Sequence, residues 1–91
     1  MDVRHSADRS RYELVVDDRV LGVVDYRDTG GVLVFFHTEV DPDLQGAGLG
    51  STLVRGALDD VRRAGRTILP QCPFVAHFLD DYPEYRDLVA S

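Results

Sequence analysis

The hydrophobic pattern of this chain changes period once, and the change falls on a glycine-rich stretch. Between residues 11 and 40 the apolar residues come in short runs separated by turn signals. From residue 49 to 61 they recur at helical spacing. Within "VDPDLQGAGLG", residues 40–50, the chain must therefore pass from a meander of strands into a helix. "RYELVV" at 11–16 alternates as a strand, with Tyr12, Leu14 and Val16 on one face. "DDR" at 17–19 and "RDTGG" at 27–31 are turn sequences, so residues 20–26 and 32–40 read as the second and third strands. Residues 3–6 are able to add a fourth. The core of the third strand, "VLVFF", is apolar on both faces, as expected for a central strand covered on both sides.

Past the glycines, Leu49, Leu53, Val54, Ala57, Leu58 and Val61 fall on one helical face, with Arg55, Asp59, Asp60, Arg62 and Arg63 largely on the other. Arg62 and Arg63 suit the negative end of a helix and Gly65 suits its stop. "TIL" at 67–69 is then a short strand, parallel to the third by the usual right-handed crossover. Cys72-Pro73 opens a second helix over 73–81, with Phe74, Val75, Phe78 and Leu79 as its apolar face. Residues 82–89 read as a turn and a short last helix. The expected class is α+β: an antiparallel meander, then strand–loop–helix–strand and C-terminal helices in one domain spanning residues 1–91, with a mixed sheet.

Composition narrows the function. Sixteen acidic residues face ten basic ones, a formal charge of −6, and every basic residue is Arg. Such a balance argues against a general nucleic-acid binder and permits a cationic partner such as an amine. No apolar run approaches the roughly 20 residues of a membrane span, and "MDVRHSADRS" has no secretory h-region. A single cysteine, Cys72, cannot form an internal disulfide, and with three scattered His it sets no metal spacing. A cytoplasmic protein is the expectation, without metal, membrane or nucleic-acid partner, as a monomer or a homodimer.

The strand–loop–helix junction has the physical makings of an anion site. The first N–H groups of a helix attract negative charge, and glycine lets a phosphate approach the backbone. A Walker-type loop needs Lys after its glycines, and the chain has no Lys. The dinucleotide fingerprint needs Gly-x-Gly-x-x-Gly within parallel units, whereas Gly46-x-Gly48-x-Gly50 follows an antiparallel meander. "V-x-P-x-x-Q-x-x-G-x-G", carried by Val40, Pro42, Gln45, Gly48 and Gly50, resembles the acetyl-CoA motif of the GNAT superfamily of N-acetyltransferases. "HTEV" at 37–40, "PQCPF" at 70–74 and "YPEY" at 82–85 resemble a subfamily of short single-domain members. Tyr82 stands where that subfamily usually carries His.

The resemblance implies acetyl transfer from acetyl-CoA, with no metal, to an amine on a small molecule or a protein. It implies that backbone amides of Gln45, Gly46, Ala47, Gly48, Leu49, Gly50 and Ser51 hold the pyrophosphate, that Glu39 and Val40 flank the pantetheine arm, and that the Val40 N–H polarises the thioester carbonyl. The neutral amine attacks directly and a general base takes its proton. His37 and Glu39 are the base candidates. They alternate onto one face of the strand, ~7 Å apart, and that face is expected to point to the cleft. Cys72, at a helix N-cap, is a candidate for an acetyl-cysteine relay or a small buried residue. Tyr85 or Tyr82 is a candidate to protonate the leaving thiolate. A CoA- or acyl-CoA-binding module without transfer activity is the alternative function with the same fold.

Overall fold

The computed structural model describes residues 2–44, 46 and 48–90. Five strands form one sheet in the order β1-β2-β3-β4-β5. β1 (Asp2–Ser6), β2 (Arg11–Val16), β3 (Arg19–Thr29) and β4 (Val32–Val40) pair antiparallel in sequence order, and β5 (Thr67–Pro70) lies parallel to β4. The crossover between β4 and β5 is α1 (Leu49–Arg63). α2 (Pro73–Asp81) follows, and then a 3₁₀ turn at Pro83–Leu88 stands where a short helix was expected. The strand at residues 2–6 is formed in full. β3 runs to Thr29, past the expected turn at 27–31, because the reversal is made by Gly30 and Gly31 alone, at φ 61° and 92°. No helix among the described residues is long and apolar enough to cross a membrane.

α1 buries the face that its periodicity assigns. Leu53, Val54, Ala57, Leu58 and Val61 are each at most 2% exposed. Its C-terminus closes on Gly65: the Arg66 N–H donates to the Val61 carbonyl and the Gly65 N–H to the Arg62 carbonyl, with Gly65 at φ 69°. This reciprocal pair satisfies two carbonyls that a helix end leaves open. Arg62 then ties the last turn to the 3₁₀ segment through two bonds to Asp87, of 2.7 and 2.9 Å.

Both helices add their buried residues to the cluster that contains Leu33 and Phe35, so the helical elements gather on one face of the sheet. The apolar run in β4 is therefore not the mark of a strand covered by helices on both sides. Val34 is buried but lies outside that cluster, and Phe36 is exposed. The same correction applies to Phe74, which is exposed while Val75, Phe78 and Leu79 form the buried face of α2.

One contact fixes how near α1 lies to the sheet. A methyl group on Gly56 would fall 2.5 Å from Val3 Cγ2. Helix propensity alone favours Ala there by about 1 kcal/mol. Overpacking costs about 1–3 kcal/mol. Gly56→Ala is expected to lower the melting temperature, with β1 losing its amide-exchange protection first; a rise would show that β1 yields without cost.

Candidate functional site

The geometry that matters begins with a bulge. Opposite β3, Asp25 pairs with His37 but Tyr26 pairs with Phe35, leaving Phe36 as an extra residue in β4. An extra residue shifts the side-chain alternation by one. Up to the bulge, Leu33 and Phe35 face the helices; after it, Thr38 and Val40 do, and His37 and Glu39 turn to the helix-free face.

Next, the sheet splits. The β4–β5 ladder ends at Phe35 opposite Pro70. Pro70 has no N–H with which to continue a ladder. The chain then leaves the sheet, its last tie being the Cys72 N–H donated to the Phe35 carbonyl at 2.8 Å. Beyond this point no strand among the described residues pairs with residues 36–39 on the β5 side. The Asp41 N–H donates to Leu21 on β3 (2.8 Å), so by alternation the Val40 N–H is directed away from β3.

The split opens into a cavity of about 530 Å³. Thr38 and Val40 line it from β4, Gly46, Gly48, Gly50 and Ser51 from the loop and the head of α1, and Phe74 from α2. Gly46 and Gly48 have φ of 90° and 77°, and neither would place a Cβ within 4 Å of another group. The Gly48 carbonyl accepts from the Thr52 N–H (3.1 Å) and hydroxyl (3.2 Å), which fixes the first turn of α1. The result is a bare backbone cradle at a helix N-terminus, suited to a phosphate group.

Of the residues singled out from sequence, Val40, Gly46, Gly48, Gly50 and Ser51 meet in this cavity. The Leu49 side chain packs against the core, while its backbone, the part expected to bind, stands at the first position of α1. Gln45 and Ala47 lie outside the described residues. His37 and Glu39 stand together, Nε2 to Oε2 at 3.7 Å, but on the face opposite the cavity, because of the bulge at Phe36. Cys72 caps α2 in position but its side chain makes no capping bond. The residue is 5% exposed and its thiol lies 3.2 Å from the Thr38 hydroxyl, so Thr38 stands on the cavity lining and Cys72 behind it.

Tyr85 is not on that lining. Burial and the hydrogen bond it donates to Asp59 (2.7 Å) hold its phenol above the ordinary range, so its proton is committed within the helical layer. Tyr82 lies under the Arg55 guanidinium, 4.5 Å from its ring centroid. His5 is structural: it stacks on Tyr12 at 4.4 Å and bonds the Tyr26 hydroxyl at 2.6 Å. His77 pairs with Asp81 on the surface of α2. No cluster of metal-ligating side chains occurs among the described residues.

Thr38 and Phe74 escaped the sequence reading. Thr38 was legible only with the bulge known, since strict alternation puts it on the wrong face. Phe74 lies within the "PQCPF" motif but is assigned to the core, because an apolar residue in the first turn of an amphipathic helix reads as core.

A mixed sheet that splits beside a glycine loop at the head of its crossover helix is the class of fold that these residues build. The family profile described as GCN5-related N-acetyl-transferase matches residues 11–88, and the chain belongs to that family. Among curated protein sequences none matches. Two solved structures share the fold. One is the NMR structure of a presumed GCN5-like N-acetyltransferase from Staphylococcus aureus, 21% identical, with a TM-score of 0.73 over 99% of this chain and 88% of that one. The other is a ribosomal-protein alanine N-acetyltransferase from Escherichia coli, 22% identical, with a TM-score of 0.58 over 64% of this chain and 38% of that one.

Proposed function

We propose that this protein is an acetyl-CoA-dependent N-acetyltransferase that acts on an amine. The observation that carries this reading is the meeting, in one cavity, of the glycine cradle and the split edge of β4. Family membership supports acetyl transfer in general. When bound, acetyl-CoA supplies an acetyl group activated as a thioester. The backbone of Gly46, Gly48, Gly50 and Ser51 faces the cavity as donors for its pyrophosphate. The edge of β4 beside Thr38, where the ladder to β5 has ended, serves the amide-bearing arm as a strand partner would.

The acceptor is read as entering from the helix-free face, where His37 and Glu39 lie. The amine nitrogen attacks the acetyl carbon and the carbon–sulfur bond breaks. His37 or Glu39 takes the ammonium proton, and the thiolate leaves with the electron pair. Burial of the Cys72 thiol behind Thr38 favours this direct attack over an acetyl-cysteine relay.

Release of CoA with a panel of amines tests the activity. CoA binding without release would make the chain a binding module. Intact mass spectrometry after incubation with acetyl-CoA is expected to show no adduct on Cys72. Cys72→Ala is expected to retain turnover within a few-fold, whereas His37→Gln or Glu39→Gln lowers kcat by about a hundredfold, the size of a lost general base. An acetylated Cys72 that turns over would establish the relay instead.

A further inference from the structure

We propose that β1 is a docking edge at which a second copy of this chain pairs antiparallel, centred on Val3, so that one sheet runs through both protomers. The two edges of the sheet end differently. At the β5 edge, Val89 bridges to Ile68 and the Ala90 N–H donates to the Ile68 carbonyl at 2.9 Å. At the other edge β1 pairs with β2, and no strand among the described residues pairs with its outer side. Alternate N–H and C=O groups of such a strand point outward and are a template for another strand. "DVRHS" holds no Pro, and its register with β2 is unbroken from Asp2 to Ser6, so neither a missing N–H nor a bulge blocks pairing. The strand is also held in shape. Val3 seats against α1 at Gly56, and the His5 ring stacks on Tyr12 and bonds the Tyr26 hydroxyl. A preformed edge loses little freedom when it pairs.

Charge selects the occupant and the register. Val3 and His5 face the helices, so Asp2 and Arg4 stand on the other face, and both are exposed. Neither forms an ion pair among the described residues. A two-fold axis normal to the sheet keeps its faces aligned, so residues of like parity oppose each other. With Val3 opposite Val3 of the second copy, Asp2 of each chain opposes Arg4 of the other. A slip of two residues one way sets Arg4 against Arg4; a slip the other way sets Asp2 against Asp2. Unlike charges directly across a strand pair stabilise it and like charges oppose it, so this short strand specifies one self-pairing. An unrelated strand would meet the same backbone without that match. The cavity opens where β4 parts from β5, away from β1 in the sheet order, so pairing does not require it to close.

Analytical ultracentrifugation at low salt, from about 1 to 500 μM, covers the affinities of small interfaces. The native protein is expected to associate to a dimer, and less so at high salt, which screens exposed pairs. Asp2→Arg and Arg4→Asp each set like charges opposite and are expected to weaken association about tenfold or more. An equal mixture of the two variants has both unlike pairs again, and is expected to dimerise as the native chain does. So is the double variant D2R/R4D. In dilute solution each variant is expected to melt as the native chain does, because both side chains are exposed. A native chain that stays monomeric over this range overturns the proposal. So does a dimer that survives both single variants, or a loss of association that neither the mixture nor the double variant restores. None of these outcomes bears on the acetyl-transfer reading.

Discussion

Gly48→Val is expected to lower CoA affinity by on the order of a hundredfold while the fold survives, because hydrogen bonds to a charged group contribute about 1.5–3 kcal/mol each. Gly48 is the N-cap of α1 and holds φ 77°, a left-handed conformation. A β-branched residue there is strained by about 1–2 kcal/mol and relaxes by moving the backbone. Nothing lies within 4 Å of the position its Cβ would take, so no core contact is lost. The movement falls on the amides at the head of the helix, whose direction makes the cradle. Titration of CoA measures the first effect and a thermal melt the second. A melting temperature lowered by only a few degrees with CoA binding intact would show that the cradle does not hold the pyrophosphate.

Steep loss of stability above pH 10 is the other large effect expected. Tyr12, Tyr26 and Tyr85 are all buried, and all three phenols are held above their ordinary value of 10.0. Burial is the first cause in each case. For Tyr12 and Tyr85 a hydrogen bond donated to a carboxylate, Asp60 at 2.6 Å and Asp59 at 2.7 Å, adds to it. Ionising either phenol would set two anions against each other. The unfolded chain loses these protons near pH 10, while the folded chain keeps them. Stability is therefore whole below pH 10 and declines as the pH rises towards the folded values. Each tyrosine adds to the decline only between pH 10 and its own folded value, and Tyr12, the most strongly raised, contributes over the widest range. A small domain has only about 5–15 kcal/mol in total, so the loss is expected to show as alkaline unfolding. Circular dichroism and tyrosinate absorbance should change together, and Tyr12→Phe should make the alkaline decline shallower. Tyrosinate appearing at these three positions with the fold intact would refute the account.

Much of the fold was legible because local patterns and global packing agree. The apolar face of α1 follows from six residues at helical spacing, and its end from Gly65, which the backbone then uses at φ 69°. The loop at 46–50 was legible for a similar reason: positive φ at the head of a helix calls for glycine, and glycine shows in a sequence. The site facing that loop was less so. His37 and Glu39 drew attention as titratable neighbours on an apolar strand, and the pair does form, but on the other face. Cys72 stood out as a lone thiol before a proline, and its burial behind Thr38 depends on where α2 lies against β4.

The order of amino acids by itself determined the class of fold, the place where strand becomes helix, and the cradle that the glycines form there. Those features arise from interactions between residues near in sequence, so periodicity and backbone preference suffice to reveal them. Tertiary structure alone decided which side chains face the cavity. One unpaired residue, Phe36, reverses the alternation of β4 and exchanges His37 and Glu39 for Thr38 and Val40. A bulge is set by how two strands register under the twist of the whole sheet, and no local pattern in β4 records it. The same holds for Phe74: its ring is exposed over Gly50 because two helix N-termini, Leu49 and Pro73, 24 positions apart in the chain, come together where the sheet splits.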